Sequence, residues 1–224
     1  VRNSLSSLDA AVGKSSAGIT NSLNSIAKKI SFAAISAGII GIGKSALSAA
    51  SDLQEVQNVV DTSFGSMSGE VDEFAKNAIS QFGLSESAAK GYASTLMAMG
   101  NSMGIAKKNT KTMSIQLTGL AADLASFYNT DVETAFNALQ GVYTNNTRAL
   151  RQYGVVITDA ALSAFALQEG ITKNVSAMNQ AEKATLAYNY VLSVTKDAQN
   201  DFAKTHFSWA NSLKTITNQI QTLM

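Results

Sequence analysis

Apolar residues recur along this chain with helical spacing, and glycines divide the apolar stretches from one another. Glycine is the residue best suited to the left-handed position that follows a helix. The pattern therefore predicts helices near 51–64, 69–82, 85–102, 105–129, 131–144 and 158–169. The glycines that end or separate them are Gly65, Gly83, Gly104, Gly154 and Gly170. Residues 51–175 are thus predicted to form a compact, glycine-punctuated helical region.

Local signals refine the predicted helix starts. Ser85 precedes a helix as a suitable N-cap, and Thr130 followed by Glu133 predicts a capping box. The β-branched run Val155–Ile157 favours an extended segment over a helix.

One apolar stripe indicates where the core of this region lies. Residues three and four apart share a helix face, and the stripe consists of Met113, Leu117, Leu120, Leu124 and Phe127. We expect seven side chains to be buried together: Leu120, Leu124, Phe127, Phe136, Leu139, Leu150 and Tyr153.

Residues 1–50 have a different pattern. Leu5, Val12, Ile19, Ile26 and Ala33 recur every seven residues, a weak heptad seam that predicts either a coiled coil among copies or a long helix against the main body.

The same segment contains an apolar run, Ile30–Leu47, that is interrupted by a single charge at Lys44. The uncharged part is shorter than the ~20 residues of a membrane span. Small residues at every fourth position, from Ala33 to Ser45, would allow close helix packing. The run is therefore predicted either to pack within a helical assembly or to enter a membrane at some stage.

Residues 176–224 are predicted to form one unbroken helix that continues beyond the fragment. Its apolar stripe is Ala187, Val191, Val194, Ala198, Phe202, Trp209, Leu213, Ile216, Ile220 and Leu223. A helix of this span is roughly 70 Å long, which is more than a small domain can bury. We therefore expect the strip from Phe202 to Leu223 to need a partner.

Composition supports an all-α fold. The chain has no proline, whereas average usage predicts roughly 11, and proline breaks helix interiors. Charged residues make up 15%, against about 25% in typical domains, which suits helix faces that pack on other helices or on an enclosing wall. We predict an all-α, elongated multi-helix array with long terminal helices around the compact region.

The chemistry-bearing residues predict no catalytic, cofactor-binding or metal site, so the chain is not expected to be an enzyme. There is no cysteine, and His206 is the single histidine, which makes a poor metal site. Five carboxylates could in principle pair for glycoside hydrolysis, but most of them are interpreted as residues of helix starts or polar faces: Asp61, Asp72, Glu73, Asp123 and Asp131. The net charge of +1 does not indicate nucleic-acid binding, which needs an excess of positive charge.

Arg148 and Arg151 form the most interesting polar pair. Their guanidinium groups could bind a carboxylate-rich partner, or they could cap the C-terminal carbonyls of helices.

Three stretches carry a family resemblance. The first is an acidic helix that ends in Phe-Gly, Ser51–Gly65 (SDLQEVQNVVDTSFG). The second joins an Asp-Leu-Ala-Ser-Phe helix to Leu-Arg-Gln-Tyr-Gly, Leu120–Ile157 (LAADLASFYNTDVETAFNALQGVYTNNTRALRQYGVVI). The third is helical in pattern, Asp201–Leu223 (DFAKTHFSWANSLKTITNQIQTL). Together they resemble phage tail tape measure proteins over about residues 50–224. One departure is Asn145-Asn146, where relatives often have Gly-Glu.

The resemblance implies a structural protein of a phage or phage-like tail. Such proteins run as several helical copies, here expected as a trimer or hexamer, through the lumen of the tail tube. They set tail length during assembly in the host cytoplasm and are ejected ahead of the DNA. The implied partners are other copies, the tail tube protein, tail tip or distal tail proteins, and tail assembly chaperones. The alternative is a membrane-active pore or channel former that acts through residues 30–47.

Overall fold

The computed structural model describes residues 53–205, which belong to Ala49–Met224, one of the two units into which the chain divides. Helices cover 79% of the described residues, and none of these residues lies in a strand. The all-α prediction is confirmed. The helices are α1 (53–64), α2 (Ser68–Phe82), α3 (Glu86–Ser102), α4 (Lys107–Phe127), α5 (Val132–Thr144), α6 (Asp159–Gln168), α7 (Gln180–Val194) and α8 (Asp201–Thr205). Short 3-10 helices lie at Gly65–Met67, Thr147–Tyr153 and Val175–Ala177.

The predicted helix ends are confirmed wherever a glycine marks them. All five glycines adopt positive φ, between 56° and 76°. The helix ends predicted at these glycines lie within two residues of the ends in the structure. The predicted N-cap at Ser85 is also confirmed, because its hydroxyl accepts a hydrogen bond from the Ala88 backbone N–H at 3.2 Å.

Helix α4 is the central helix of the bundle. It packs against α2, α3, α5 and α8, and every residue from Leu117 to Ala125 is buried. Small residues make this possible, since neighbouring side chains can approach the backbone closely. At Gly119, for example, an added Cβ would lie 2.9 Å from the Phe82 ring.

Six of the seven predicted core residues are buried in one cluster. They are Leu120, Leu124, Phe136, Leu139, Leu150 and Tyr153. The prediction for Phe127 is wrong, because this side chain is 47% exposed. Phe127 is the last residue of α4, where the stripe runs past the neighbouring helices, and its ring instead contacts Tyr128 with 5.0 Å between centroids.

The predicted capping box at Thr130 and Glu133 is wrong. Helix α5 begins one residue later than that motif requires, with Asp131 as its N-cap and no side-chain capping bond. The Thr130 hydroxyl lies 3.3 Å from the Tyr153 hydroxyl instead.

A complete capping box starts α7. The Asn179 side chain accepts from the Glu182 backbone N–H at 2.9 Å, and the Glu182 carboxylate accepts from the Asn179 N–H at 2.8 Å. Replacing Asn179 by Ala is expected to lower the free energy of unfolding by about 0.5–2 kcal/mol, because an orphan N–H loses its acceptor. Urea denaturation measures the change. The control, Asn189→Ala in the interior of α7, should be neutral or slightly stabilising because alanine is the better helix former.

The prediction of one unbroken helix over 176–224 is wrong. Helix α7 ends at Val194, a non-helical stretch follows, and Asn200 adopts a left-handed φ of 62° before α8 begins at Asp201. Val194 is 46% exposed, whereas Phe202 is 2% exposed. Phe202 belongs to the apolar strip that was expected to need a partner. The apolar spacing continues through the break because both flanking segments face the same bundle.

Several predictions fall outside the described residues. These are the heptad seam from Leu5 to Ala33, the apolar run Ile30–Leu47, His206, and the strip from Trp209 to Leu223. Over 53–205, no helix combines the length and the apolar character needed to cross a membrane.

Candidate functional site

The most distinctive polar group in the described bundle is the carboxylate of Asp123. It lies near the C-terminal end of α4 and is 4% exposed. Its Oδ2 accepts a hydrogen bond from the Asn200 backbone N–H at 2.8 Å, and its Oδ1 accepts one from the Phe202 N–H at 3.3 Å. Asp123 is therefore not one of the carboxylates at helix starts or on polar faces, which is where most of the five were expected. Its carboxylate accepts from the N–H of the residue before α8 and from that of the second residue of α8, which have no partner within that helix.

Burial dominates the electrostatics of this carboxylate. It raises the pKa of Asp123 to about 6, while the N–H bonds from Asn200 and Phe202 act in the opposite direction. The charge of Asp201 raises the pKa further, and that of Lys204 lowers it. At neutral pH the group is thus largely ionised and carries an unfavourable desolvation term that the two N–H bonds only partly offset.

The Phe202 ring completes the contact between α8 and the bundle. It packs against Gly83, the left-handed residue that ends α2 with φ 65°. A Cβ on Gly83 would lie 2.5 Å from two ring atoms, so only glycine leaves room for the ring here. Further along α8, the hydroxyls of Thr205 and Ser126 are 3.1 Å apart. We call Asp123, Gly83 and Phe202 the α8 anchor.

A second buried charge lies on α3. Lys90 is 4% exposed, and its Nζ lies 2.5 Å from Glu86, 2.8 Å from the Gln57 side-chain oxygen and 3.2 Å from Asp72. Burial lowers the pKa of Lys90, but the hydrogen bonds and charges of Glu86 and Asp72 outweigh it and raise the pKa above its ordinary value. This Lys90 cluster ties together α1, α2 and α3.

Arg148 and Arg151 lie on the 3-10 helix Thr147–Tyr153, and both are exposed. Residues three apart eclipse each other in a 3-10 helix, so the pair shares one face. Neither guanidinium forms a hydrogen bond or an ion pair with another described residue, so they do not cap helix carbonyls there. The run that follows, Val155–Ile157, is non-helical, as its β-branched composition predicts.

The remaining predicted carboxylates stay dispersed. Asp61 accepts from the Gln57 side chain at 3.0 Å and is exposed, as is Glu73, and Asp131 stands at the start of α5. Across residues 53–205 no three histidine, cysteine or acidic side chains gather where they could hold a metal ion.

A cavity of about 440 Å³ lies between the start of α4 and α7. Its walls are mostly apolar, with Ile105, Met178 and Leu186 among the lining residues, and the Lys173–Glu182 ion pair is at its edge.

Sequence reasoning missed the role of Asp123, although one signal was available. Asp123 is the single charged residue between Lys111 and Asp131, and the helix around it, from Leu117 to Phe127, is otherwise made of small and apolar residues. A lone carboxylate in such a run predicts a buried acceptor that needs a partner, but the pattern does not say which backbone supplies it.

No family model, curated protein or solved structure matches this chain.

Proposed function

We propose that this chain is part of a tape measure protein of a phage or phage-like tail, a helical structural protein that sets tail length. In this proposal residues 53–205 form a compact bundle within an otherwise elongated helical array. Several copies would lie in the lumen of the tail tube and contact the tube protein.

The observation that best supports the proposal is the α8 anchor. It joins two of the three family-like stretches, because Asp123 belongs to Leu120–Ile157 and Phe202 to Asp201–Leu223. The third stretch also contributes buried residues, since Val60 and Phe64 pack in a cluster with Met97 of α3. Two of the family-like stretches thus contact each other in the fold, and the third contributes to a buried cluster, which supports reading them as parts of one unit.

The test is the length of the assembled tail. In-frame deletions in the gene that encodes this chain should shorten the tails seen by electron microscopy, because each helical residue contributes a fixed rise of about 1.5 Å. Deletions should be chosen both inside 53–205 and outside it, since a folded bundle adds less length per residue than an extended helix.

The matched control is a duplication of each deleted segment, which should lengthen the tail. Tails of unchanged length in both series would contradict the proposal, and so would normal tails from a strain that lacks the gene.

A further inference from the structure

Two exposed arginines and two exposed aromatic rings lie close together at the C-terminal end of α4. Arg148 and Arg151 share one face of the 3-10 helix Thr147–Tyr153, since residues three apart eclipse each other there. Gly154 continues this spacing of three, and a Cβ on it would lie 3.5 Å from the Tyr128 hydroxyl oxygen. The face that carries the arginines therefore leads directly to Tyr128.

The aromatic rings beside the arginines are held in place and yet exposed. The Tyr128 hydroxyl donates to the Tyr153 carbonyl oxygen at 3.0 Å, and the Tyr128 ring centroid lies 5.4 Å from that of Tyr153 and 5.0 Å from that of Phe127. Phe127 and Tyr128 are nevertheless exposed. Rings that are already fixed lose little conformational freedom on binding, and tyrosine and arginine are enriched among the residues that dominate interfaces. We call Phe127, Tyr128, Arg148 and Arg151 the arginine–aromatic patch.

The charge of this patch favours a carboxylate-bearing protein surface over nucleic acid. Arg148 and Arg151 are the only charged residues from 134 to 158, and no other lysine or arginine occurs from 112 to 172. Binding a nucleic-acid backbone depends on neutralising successive phosphates with several cations. Two guanidinium groups on one face instead match a small number of carboxylates, which they bind through paired hydrogen bonds.

Helix α1 of this same chain carries a surface of the opposite charge. Residues 53–75 contain five carboxylates and no lysine or arginine. Helical spacing places six residues of α1 on one side, and all six are exposed: Gln54, Glu55, Asn58, Val59, Asp61 and Thr62. Within residues 53–205, neither Glu55 nor Asp61 forms an ion pair. This α1 outer face thus combines two unneutralised carboxylates with the exposed apolar side chain of Val59.

We infer that the arginine–aromatic patch of one copy of this chain binds the α1 outer face of a second copy. The two arginines pair with the second copy's Glu55 and Asp61, and the two rings cover its Val59. Because the two surfaces differ, the contact is heterologous, and each copy can bind one neighbour through its patch and another through α1. The contact joins copies head to tail, which the tape measure proposal does not require.

Cross-linking between copies tests this contact, because the chain has no cysteine and an introduced thiol is unique. Val59→Cys and Ala149→Cys place thiols on the α1 outer face and beside Arg148, both at exposed positions. The two variants of the 224-residue chain are mixed, treated with a short bismaleimide and analysed by mass spectrometry. Mixed dimers should form at least roughly tenfold faster than either variant couples to itself, because a bound pair holds its thiols at a high effective concentration.

Thr112→Cys is the matched control for Ala149→Cys. Thr112 is exposed and belongs to α4, but it lies more than about 20 Å from Phe127 along the helix axis. Its coupling to Val59→Cys should be no faster than random collision allows. Equal rates for Thr112→Cys and Ala149→Cys would overturn the inference, and so would faster coupling of Ala149→Cys to itself, which would indicate a symmetric contact.

Reversal of the charges tests the pairing itself. Arg148→Glu and Arg151→Glu, added to the Ala149→Cys variant, should slow coupling to Val59→Cys by about tenfold, because like charges that face each other oppose binding. Glu55→Arg and Asp61→Arg, added to the Val59→Cys variant, should then restore the rate. Circular dichroism checks that each variant keeps its helicity. An unchanged rate after the first reversal, or no recovery after the second, would contradict the assigned charge pairing.

Other occupants of the patch give different results in the same assay. An excess of single-stranded oligothymidylate should leave the coupling of Val59→Cys to Ala149→Cys unchanged. If it abolishes the coupling, the patch binds phosphates and the inference is wrong. Absence of coupling between copies would mean that another protein, or another segment of the same chain, covers the patch, and would also overturn it. Tail length does not enter these measurements, so this contact and the tape measure proposal succeed or fail separately.

Discussion

Replacing Leu124 by Ala is expected to lower the free energy of unfolding by about 2–5 kcal/mol. Leu124 is fully buried in α4, and it belongs to the main core cluster together with Phe136, Leu139 and Leu150. The truncation loses the transfer free energy of the removed carbons and leaves a cavity. Because α4 is enclosed on all sides near Leu124, its neighbours have little freedom to close that cavity, and we expect a value in the upper half of the range.

Phe127→Ala provides the matched control for Leu124→Ala. Both residues belong to the same apolar stripe of the same helix, but Phe127 is 47% exposed. Its replacement should change the free energy of unfolding by less than about 1 kcal/mol. Urea denaturation followed by circular dichroism measures both variants. Similar losses for the two would mean that exposure along α4 does not follow the described fold.

Helix positions could be predicted from this sequence because their signals are local. Gly83 and Gly154 each end a helix in a left-handed conformation, and a left-handed end depends on the residue's own φ rather than on distant contacts. Periodicity likewise identified α4. Leu117, Leu120 and Leu124 are spaced by three and four residues, and over a stretch of this length such spacing indicates a helix.

Breaks without glycine could not be predicted in the same way. The end of α7 and the start of α8 are separated by Thr195–Asn200, a stretch without glycine or proline. Among residues 53–205, three non-glycine residues have positive φ, and all are asparagines: Asn129, Asn145 and Asn200. Asparagine is tolerated in left-handed positions because its short amide can bond locally, but it also occurs inside helices, as Asn189 does. Its presence alone therefore does not mark a break.

The two buried charges depend on contacts between residues far apart in sequence. Asp123 meets the backbone of Asn200, and Lys90 meets Gln57 on α1. Periodicity assigns a charged side chain to a solvated face by default, and here a distant helix covers that face. Burial of a charge with its partners is a property of the assembled bundle, so a helix-by-helix interpretation misses it.

Replacing Lys90 of α3 tests the contacts that its ammonium group makes with α1 and α2. Lys90 reaches Glu86 and Asp72 with its ammonium group, and the Asp72 Oδ1 atom, which lies 3.2 Å from Lys90 Nζ, is shielded from water. Lys90→Met keeps the apolar length of the side chain and removes the charge. It would leave two carboxylates and the Gln57 side-chain oxygen close together without a cation between them.

Lys90→Met should therefore lower the free energy of unfolding by about 3 kcal/mol. This value is at the lower end of the roughly 3–5 kcal/mol for breaking a buried pair, because Glu86 and Asp72 keep some contact with water. Lys111→Met is the matched control: Lys111 pairs with Glu70 at 2.5 Å, but Glu70 is largely exposed, and a pair of this kind contributes less than about 1 kcal/mol. Urea denaturation at pH 7 measures both. If Lys90→Met costs no more than Lys111→Met, the Lys90 cluster does not hold α1 and α2 on α3, and the apolar contacts of Val60 and Phe64 must do so instead.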